Sequence, residues 1–326
     1  MLIDNYNRPL THLRISVTSR CNYHCIFCHR EGEEGNHDVL TRSDIALVGR
    51  VAALLGIRYF KITGGEPLIR SDIVEIVRSL KQQTNGEVSM VTNGYFLSKY
   101  ANRLIDAGLD RVNVSMHSLN ENTYERIVGV RGLNKVIQGI KILKDSEIPV
   151  KINFVVLKYN VNEYKEVIRF AIENDLNINF IELIPLGMPE ETFSRLHISL
   201  KPIIEYLEEI YSKKYVRDLQ ARPVYILSSG VRIEIINSAF NPSFCSNCRK
   251  IRLTHDGKLK PCLFRNDNLI DISKIFTSKA TSEEKIEKLI EAFKKANKLR
   301  EPYYRSEGEY IVSIDGRYKR KANYIP

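Results

Sequence analysis

Six short runs rich in β-branched and aromatic residues, recurring through the first 184 positions, leave this chain few folds to choose from. They are LRISVT (13–18), YFKITG (59–64), EVSMVTN (87–93), RVNVSMHS (111–118), VKINFVV (150–156) and NINFIELI (177–184). Between them apolar residues return at three-and-four spacing. One such segment opens on Thr41 or Ser43 and stops at Gly56, a second starts at Ser71, and a third ends near Gly108. Strands that alternate with helices predict a parallel sheet. Six such units without a Rossmann glycine fingerprint predict a partial (β/α)6 barrel, with a doubly wound sheet as the structural competitor.

The pattern changes after about residue 200, which divides the chain into 1–200, the partial barrel, and 201–326, a smaller α+β region. PVYILS and VRIEIIN flank Ser229-Gly230, and Asp256-Gly257 sits between two further strands, so both pairs are expected to be hairpins. Thr281 and Glu284 fit a capping box for a helix running to about Arg300. The chain then finishes on a basic segment, DGRYKRKANYIP.

At 326 residues and 43% hydrophobic, the chain can bury a substantial core. It has no apolar run of about 18 residues and no signal-peptide core, so no membrane span is expected and a reducing cytoplasm is the expected compartment. There, six cysteines in two tight groups are expected to be metal ligands. The net charge of +10 suits an anionic partner and equally suits solvated helix faces. No RNP pattern or two-Cys two-His finger supports nucleic acid.

The first group, CNYHCIFC, places Cys21, Cys25 and Cys28 on the loop after the first strand, at the end of a barrel where active sites lie. Three thiolates can hold three irons of a [4Fe-4S] cluster and leave the fourth iron for a non-protein ligand. A zinc site completed by His24 or His29 is the alternative. In the second group Cys245, Cys248 and Cys262 again supply three thiols, for a second cluster or for a zinc ribbon completed by His255. A basic, zinc-stabilised nucleic-acid-binding protein is the non-enzymatic reading that follows from the zinc alternatives.

The first motif resembles that of the radical S-adenosylmethionine (SAM) enzymes. TGGEPL, Thr63 to Leu68, is similar to their glycine-rich SAM-binding segment. Two three-thiol groups at these spacings, with LRISVTSRCNYHCIFC, RVNVSMHSLN and NFIELIPLG, resemble the GTP 3',8-cyclase family (molybdenum cofactor biosynthesis protein A) over nearly the whole chain. Another two-cluster radical SAM enzyme, such as a peptide maturase, is the alternative, although those generally carry more C-terminal cysteines.

The resemblance implies two [4Fe-4S] clusters and SAM as cofactors, and GTP as substrate. It also implies the product 3',8-cyclo-7,8-dihydro-GTP, made by an adenosyl radical that takes hydrogen from ribose C3'. No side chain is expected to be catalytic in its own right. Carried over residue by residue, the SAM contacts are Phe27, Gly65, Ser115 and Ile184, the last in place of a family methionine. The GTP contacts are Arg14, Lys61, Lys151, Lys250 and Arg252. Lys61 and Lys250 stand where many members have Arg, and Val91 stands where a threonine is expected. The family commonly ends in Gly-Gly, whereas this sequence ends NYIP, so either the tail's role is supplied otherwise, as by the basic residues of GRYKRK, or the sequence is shortened or divergent there. Expected partners are a reductant protein and, downstream, cyclic pyranopterin monophosphate synthase. Stable nucleic-acid or membrane association is not expected, and the resemblance allows a homodimer.

Overall fold

The computed structural model describes residues 1–35, 37–146 and 148–321, so the ending Asn323–Pro326, contrasted above with Gly-Gly, lies outside the described residues. Strands β1 (His12–Ser16), β2 (Tyr59–Thr63), β3 (Glu87–Thr92), β4 (Arg111–Ser115), β5 (Val150–Val156) and β6 (Asn177–Glu182) lie side by side in chain order, every pair parallel. A doubly wound sheet would reverse its strand order at a switch point, and this one does not. It is the partial-barrel arrangement that the strand-helix repeat predicts.

Period-two alternation explains the layering. Leu13 and Ile15, Phe60 and Ile62, Val88 and Met90, Val112 and Val114, Ile152 and Phe154, and Ile178 and Phe180 are fully buried. Their neighbours in register are polar: Arg14 beside Lys61, Asn113 beside Lys151, and Asn153 beside Asn179. Each strand therefore offers one apolar face to the connecting helices and one polar face to the interior.

The first helix (Arg42–Leu54) starts in a capping box between Thr41 and Asp44. The second runs Ile73–Thr84, two residues later than Ser71, because Arg70 and Asp72 first form an ion pair at 2.7 Å that shapes the turn. Five of the expected strands run past their observed ends, at Val17–Thr18, Gly64, Asn93, Met116–Ser118 and Leu183–Ile184. Thr18 shows the cause, since its hydroxyl is taken by Asp38 at 2.5 Å and these positions begin the loops that build the site.

Residues after 200 complete the same sheet. The hairpin of β7 (Tyr211–Arg217), β8 (Arg222–Leu227) and β9 (Arg232–Ile236) joins through β9, parallel to β6. At the other edge β10 (Lys250–Leu253) lies parallel to β1 and continues into β11 (Lys258–Lys260) and β12 (Ile270–Asp271). The result is a 12-stranded sheet. A separate antiparallel sheet follows, made of β13 (Tyr304–Glu307), β14 (Tyr310–Ser313) and β15 (Tyr318–Arg320). Gly230 and Gly257 adopt φ of +88° and +80° in the two expected hairpin turns. The helix Ser282–Lys298 carries the Thr281–Glu284 capping box. No helix among the described residues is long and apolar enough to cross a membrane.

Candidate functional site

The interior face of the sheet is a field of cations. Arg14 and Arg252 are register partners on β1 and β10, and both grip Glu31, each at 2.6 Å, while Thr63 donates to the same carboxylate at 3.1 Å. Across the face, Lys151, Arg217 and Arg222 surround Glu234, the two arginines at 3.0 and 3.1 Å. Lys61 and Lys250 have no carboxylate partner among the described residues and donate to Asn113 at 3.2 Å and Gln220 at 2.8 Å. All five cations expected to contact nucleotide are therefore on one surface. Sequence reasoning missed Arg217, Arg222, Glu31 and Glu234. A charged residue between Ile233 and Ile235 in a strand is the signal that could have found Glu234.

Cations outnumber carboxylates here, and the electrostatics show it. Burial, followed by repulsion from Arg111, Arg14, Lys250 and Lys151, pushes the Lys61 ammonium well below its ordinary range. Burial works against the Glu31 carboxylate, yet Arg14 and Arg252 hold it well below the usual carboxylate range. Arg14 Nε, Arg222 Nε and Asn179 Oδ1 are buried with no hydrogen-bond partner. A polar face with surplus positive charge and orphaned donors suits a polyanionic ligand.

The first thiol group sits above the carboxyl ends of the strands. Backbone N–H groups of Tyr23 and Arg30 point at the sulfurs of Cys21 and Cys28, both at 3.4 Å. Burial and the neighbouring Cys28 and Cys21 push the Cys25 thiol far up. TGGEPL locks onto this loop: the Gly65 N–H donates to Thr18 O at 2.7 Å and the Glu66 N–H to Arg20 O at 2.8 Å. A Cβ on Gly65 would lie 2.1 Å from Arg20 O, so glycine is required by close approach alone. Buried Glu66 receives the Leu68 and Asn93 N–H groups and the Thr92 hydroxyl at 2.7 to 2.9 Å, tying the segment to β3. Phe27 meets His117 edge-on at 4.8 Å, Ser115 closes β4, and Ile184 is buried just past β6. Val91 on β3 is register partner to Asn113.

The second thiol group closes the far side. Burial pushes Cys245 up to about 12, with Cys262 and Cys248 adding to the shift and the Tyr304 N–H, 3.5 Å from its sulfur, opposing it. Phe240, Phe264, Tyr303 and Tyr304 form an apolar shell around Cys245 and Cys262. From outside the site, Arg8 donates to Cys245 O at 2.8 Å and Arg300 to Cys248 O at 2.6 Å, and both arginines pair with buried Asp4.

Each group offers three free thiols, a donor set that a [4Fe-4S] cluster can use. Among the described residues no three Cys, His, Asp or Glu side chains converge to hold one metal ion. His255 is committed elsewhere: its Nδ1 lies 3.1 Å from His37 O, and its ring faces Glu33 and Asp38. His29 senses Glu31, Arg252 and Arg14.

Residues 15–171 match the radical SAM superfamily, and residues 176–306 match the molybdenum cofactor synthesis C family. A probable GTP 3',8-cyclase of Saccharolobus solfataricus is 45% identical over 306 residues, 93% of this chain and 99% of the relative. The chain belongs to the GTP 3',8-cyclase family. Another member, the probable GTP 3',8-cyclase of Sulfurisphaera tokodaii, is 44% identical over 94% of this chain and 98% of its own length.

Solved structures share the fold of this cyclase family member. SuiB of Streptococcus suis, solved with S-adenosylmethionine bound, superposes with a TM-score of 0.64 at 16% identity, covering 88% of this chain and 68% of SuiB. The structure of anSMEcpe with bound AdoMet gives 0.59 at 17% identity, covering 89% and 84%. SAM and an iron-sulfur cluster are the cofactors of the superfamily, and the Cys21–Cys28 loop is its sequence mark in this family member.

Proposed function

We infer that the protein is a radical SAM GTP 3',8-cyclase that converts GTP to 3',8-cyclo-7,8-dihydro-GTP, the first step of molybdenum cofactor biosynthesis. The observation that carries this reading is family membership over 93% of the chain, with two three-thiol groups flanking one cation-lined face. The reading assigns residues 1–200 to radical generation, and 201–326, together with Arg14, Lys61 and Lys151 of the first region, to holding the substrate.

Cys21, Cys25 and Cys28 hold one [4Fe-4S] cluster, and Cys245, Cys248 and Cys262 a second. SAM held beside the first thiol group would supply the radical chemistry that removes the C3' hydrogen. Phe27, Gly65, Ser115 and Ile184 position SAM. Arg14, Lys61, Lys151, Lys250 and Arg252 bind the triphosphate, joined by Arg217 and Arg222. The aromatic shell around Cys245 keeps water from the second thiol group. Holding the nucleotide at both ends keeps C3' and C8 in bonding range. A reductant protein delivers the electron, the product passes to cyclic pyranopterin monophosphate synthase, and a cytoplasmic setting with homodimer assembly completes the reading.

Iron analysis with GTP binding tests it. The reconstituted protein is expected to hold about eight irons, falling to about four when Cys245, Cys248 and Cys262 are all changed to Ala, with loss of tight GTP binding. Zinc in place of iron, or GTP binding unchanged in that variant, overturns the assignment.

A further inference from the structure

The two carboxylates among the cations are held differently. Glu234 stands inside β9 and is fixed by the sheet. Glu31 stands on a turn in which Arg30, Glu31 and Gly32 all take left-handed angles, with φ of 47°, 55° and 64°. For Arg and Glu that conformation costs about 1 kcal/mol or more each.

What the strained turn achieves is a placement. One Glu31 oxygen accepts from Arg14 at 2.6 Å and Thr63 at 3.1 Å, and the other from Arg252 at 2.6 Å. Two guanidiniums on adjacent strands, with the Thr63 hydroxyl beside Arg14 at 3.2 Å, form a donor set that recognises a phosphate. The turn also lies between the thiol groups. Cys28 precedes it, Lys260 donates to Gly32 O at 2.5 Å, and a Cβ on Gly32 would lie 2.6 Å from Leu263 O, beside Cys262.

We propose that Glu31 is a placeholder for one phosphate of the substrate, a positioning residue that holds Arg14 and Arg252 at ligand spacing and yields them when the triphosphate arrives. The inference rests on the reading of this face as the triphosphate site. Release of the carboxylate frees Arg30 and Glu31 to return to ordinary backbone angles, so substrate binding draws on the strain stored in the turn. Glu234, locked in a strand among three cations, stays in place and neutralises part of the surplus charge.

The probe is inorganic tripolyphosphate, titrated anaerobically into the reconstituted full chain. Glu31→Gln removes the competing charge and is expected to bind tripolyphosphate at least about tenfold more tightly than wild type. Glu31→Asp keeps the charge and is expected to stay near wild type. In the wild type, amide exchange across residues 29–35 is expected to rise when tripolyphosphate binds, a readout that needs no variant to fold. Weaker or unchanged binding by Glu31→Gln, equal tightening by Glu31→Asp, or increased protection of 29–35 overturns the placeholder and leaves the triphosphate reading standing. Failure of tripolyphosphate to bind either wild type or Glu31→Gln overturns the triphosphate reading itself, and the placeholder with it.

Discussion

Replacing Gly65 by Ala places one methyl group where the structure has least room for it. The new Cβ would lie 2.1 Å from Arg20 O, 2.5 Å from Arg20 C and 2.7 Å from Ser19 O. All three are backbone atoms, so no side-chain rotation relieves the clash, and the two segments must part by more than an ångström to reach ordinary contact. Parting them breaks the Gly65 N–H bond to Thr18 O and the Glu66 N–H bond to Arg20 O. Two backbone hydrogen bonds at about 1 kcal/mol each, with overpacking of about 1–3 kcal/mol, give a local loss of about 3–5 kcal/mol. The segment displaced leads directly into Cys21. The assay is iron content together with SAM affinity by equilibrium dialysis, with Gly230→Ala as control. Gly230 has open space around it, so its variant bears backbone strain alone. Gly65→Ala is expected to bind SAM at least about tenfold more weakly, since a tenth of the affinity corresponds to about 1.4 kcal/mol. Wild-type iron content and SAM affinity in this variant would refute the argument that close approach makes this glycine obligatory.

Burial lifts the Glu66 carboxyl to about 7 from an ordinary 4.5, against the hydrogen bonds it receives from Asn93, Thr92 and Leu68. The folded chain then keeps a proton that the unfolded chain has released. That contribution is complete below about pH 4.5 and is lost as pH rises toward about 7, some ~3 kcal/mol in all. Urea unfolding is expected to show the wild type losing more stability than Glu66→Gln between about pH 5 and about pH 8, and parallel profiles contradict this. Glu234→Ala leaves Lys151, Arg217 and Arg222 without their shared carboxylate, with Arg222 only 10% exposed. It is expected to destabilise the protein by about 3–5 kcal/mol. Tripolyphosphate is expected to restore part of the lost thermal stability, and a variant as stable as wild type without it counts against the cation field.

The six parallel strands were legible because their apolar residues alternate with Arg14, Lys61, Asn113, Lys151 and Asn179, a period-two signal local to each strand. The hairpin glycines and the Thr281–Glu284 cap were local too. The partnership of β10 with β1 and of β9 with β6 was not, since pairing between strands distant in sequence, His12 with Lys250 and Ile178 with Ile233, leaves no mark in either segment. That pairing is what brings Arg252 beside Arg14. For the same reason Glu31 carries no signal in the sequence: its role depends on backbone angles that sequence does not favour and on arginines of two distant strands. Nothing in the sequence marks Arg8 and Arg300, which are buried behind the second thiol group and both pair with Asp4.

The most direct measurement is anaerobic incubation of the reconstituted protein with SAM, GTP and dithionite, following 5'-deoxyadenosine and the nucleotide product by mass. The account predicts both in similar amounts, with the nucleotide cyclised between C3' and C8. Deoxyadenosine formed while tightly bound GTP remains unchanged would contradict it.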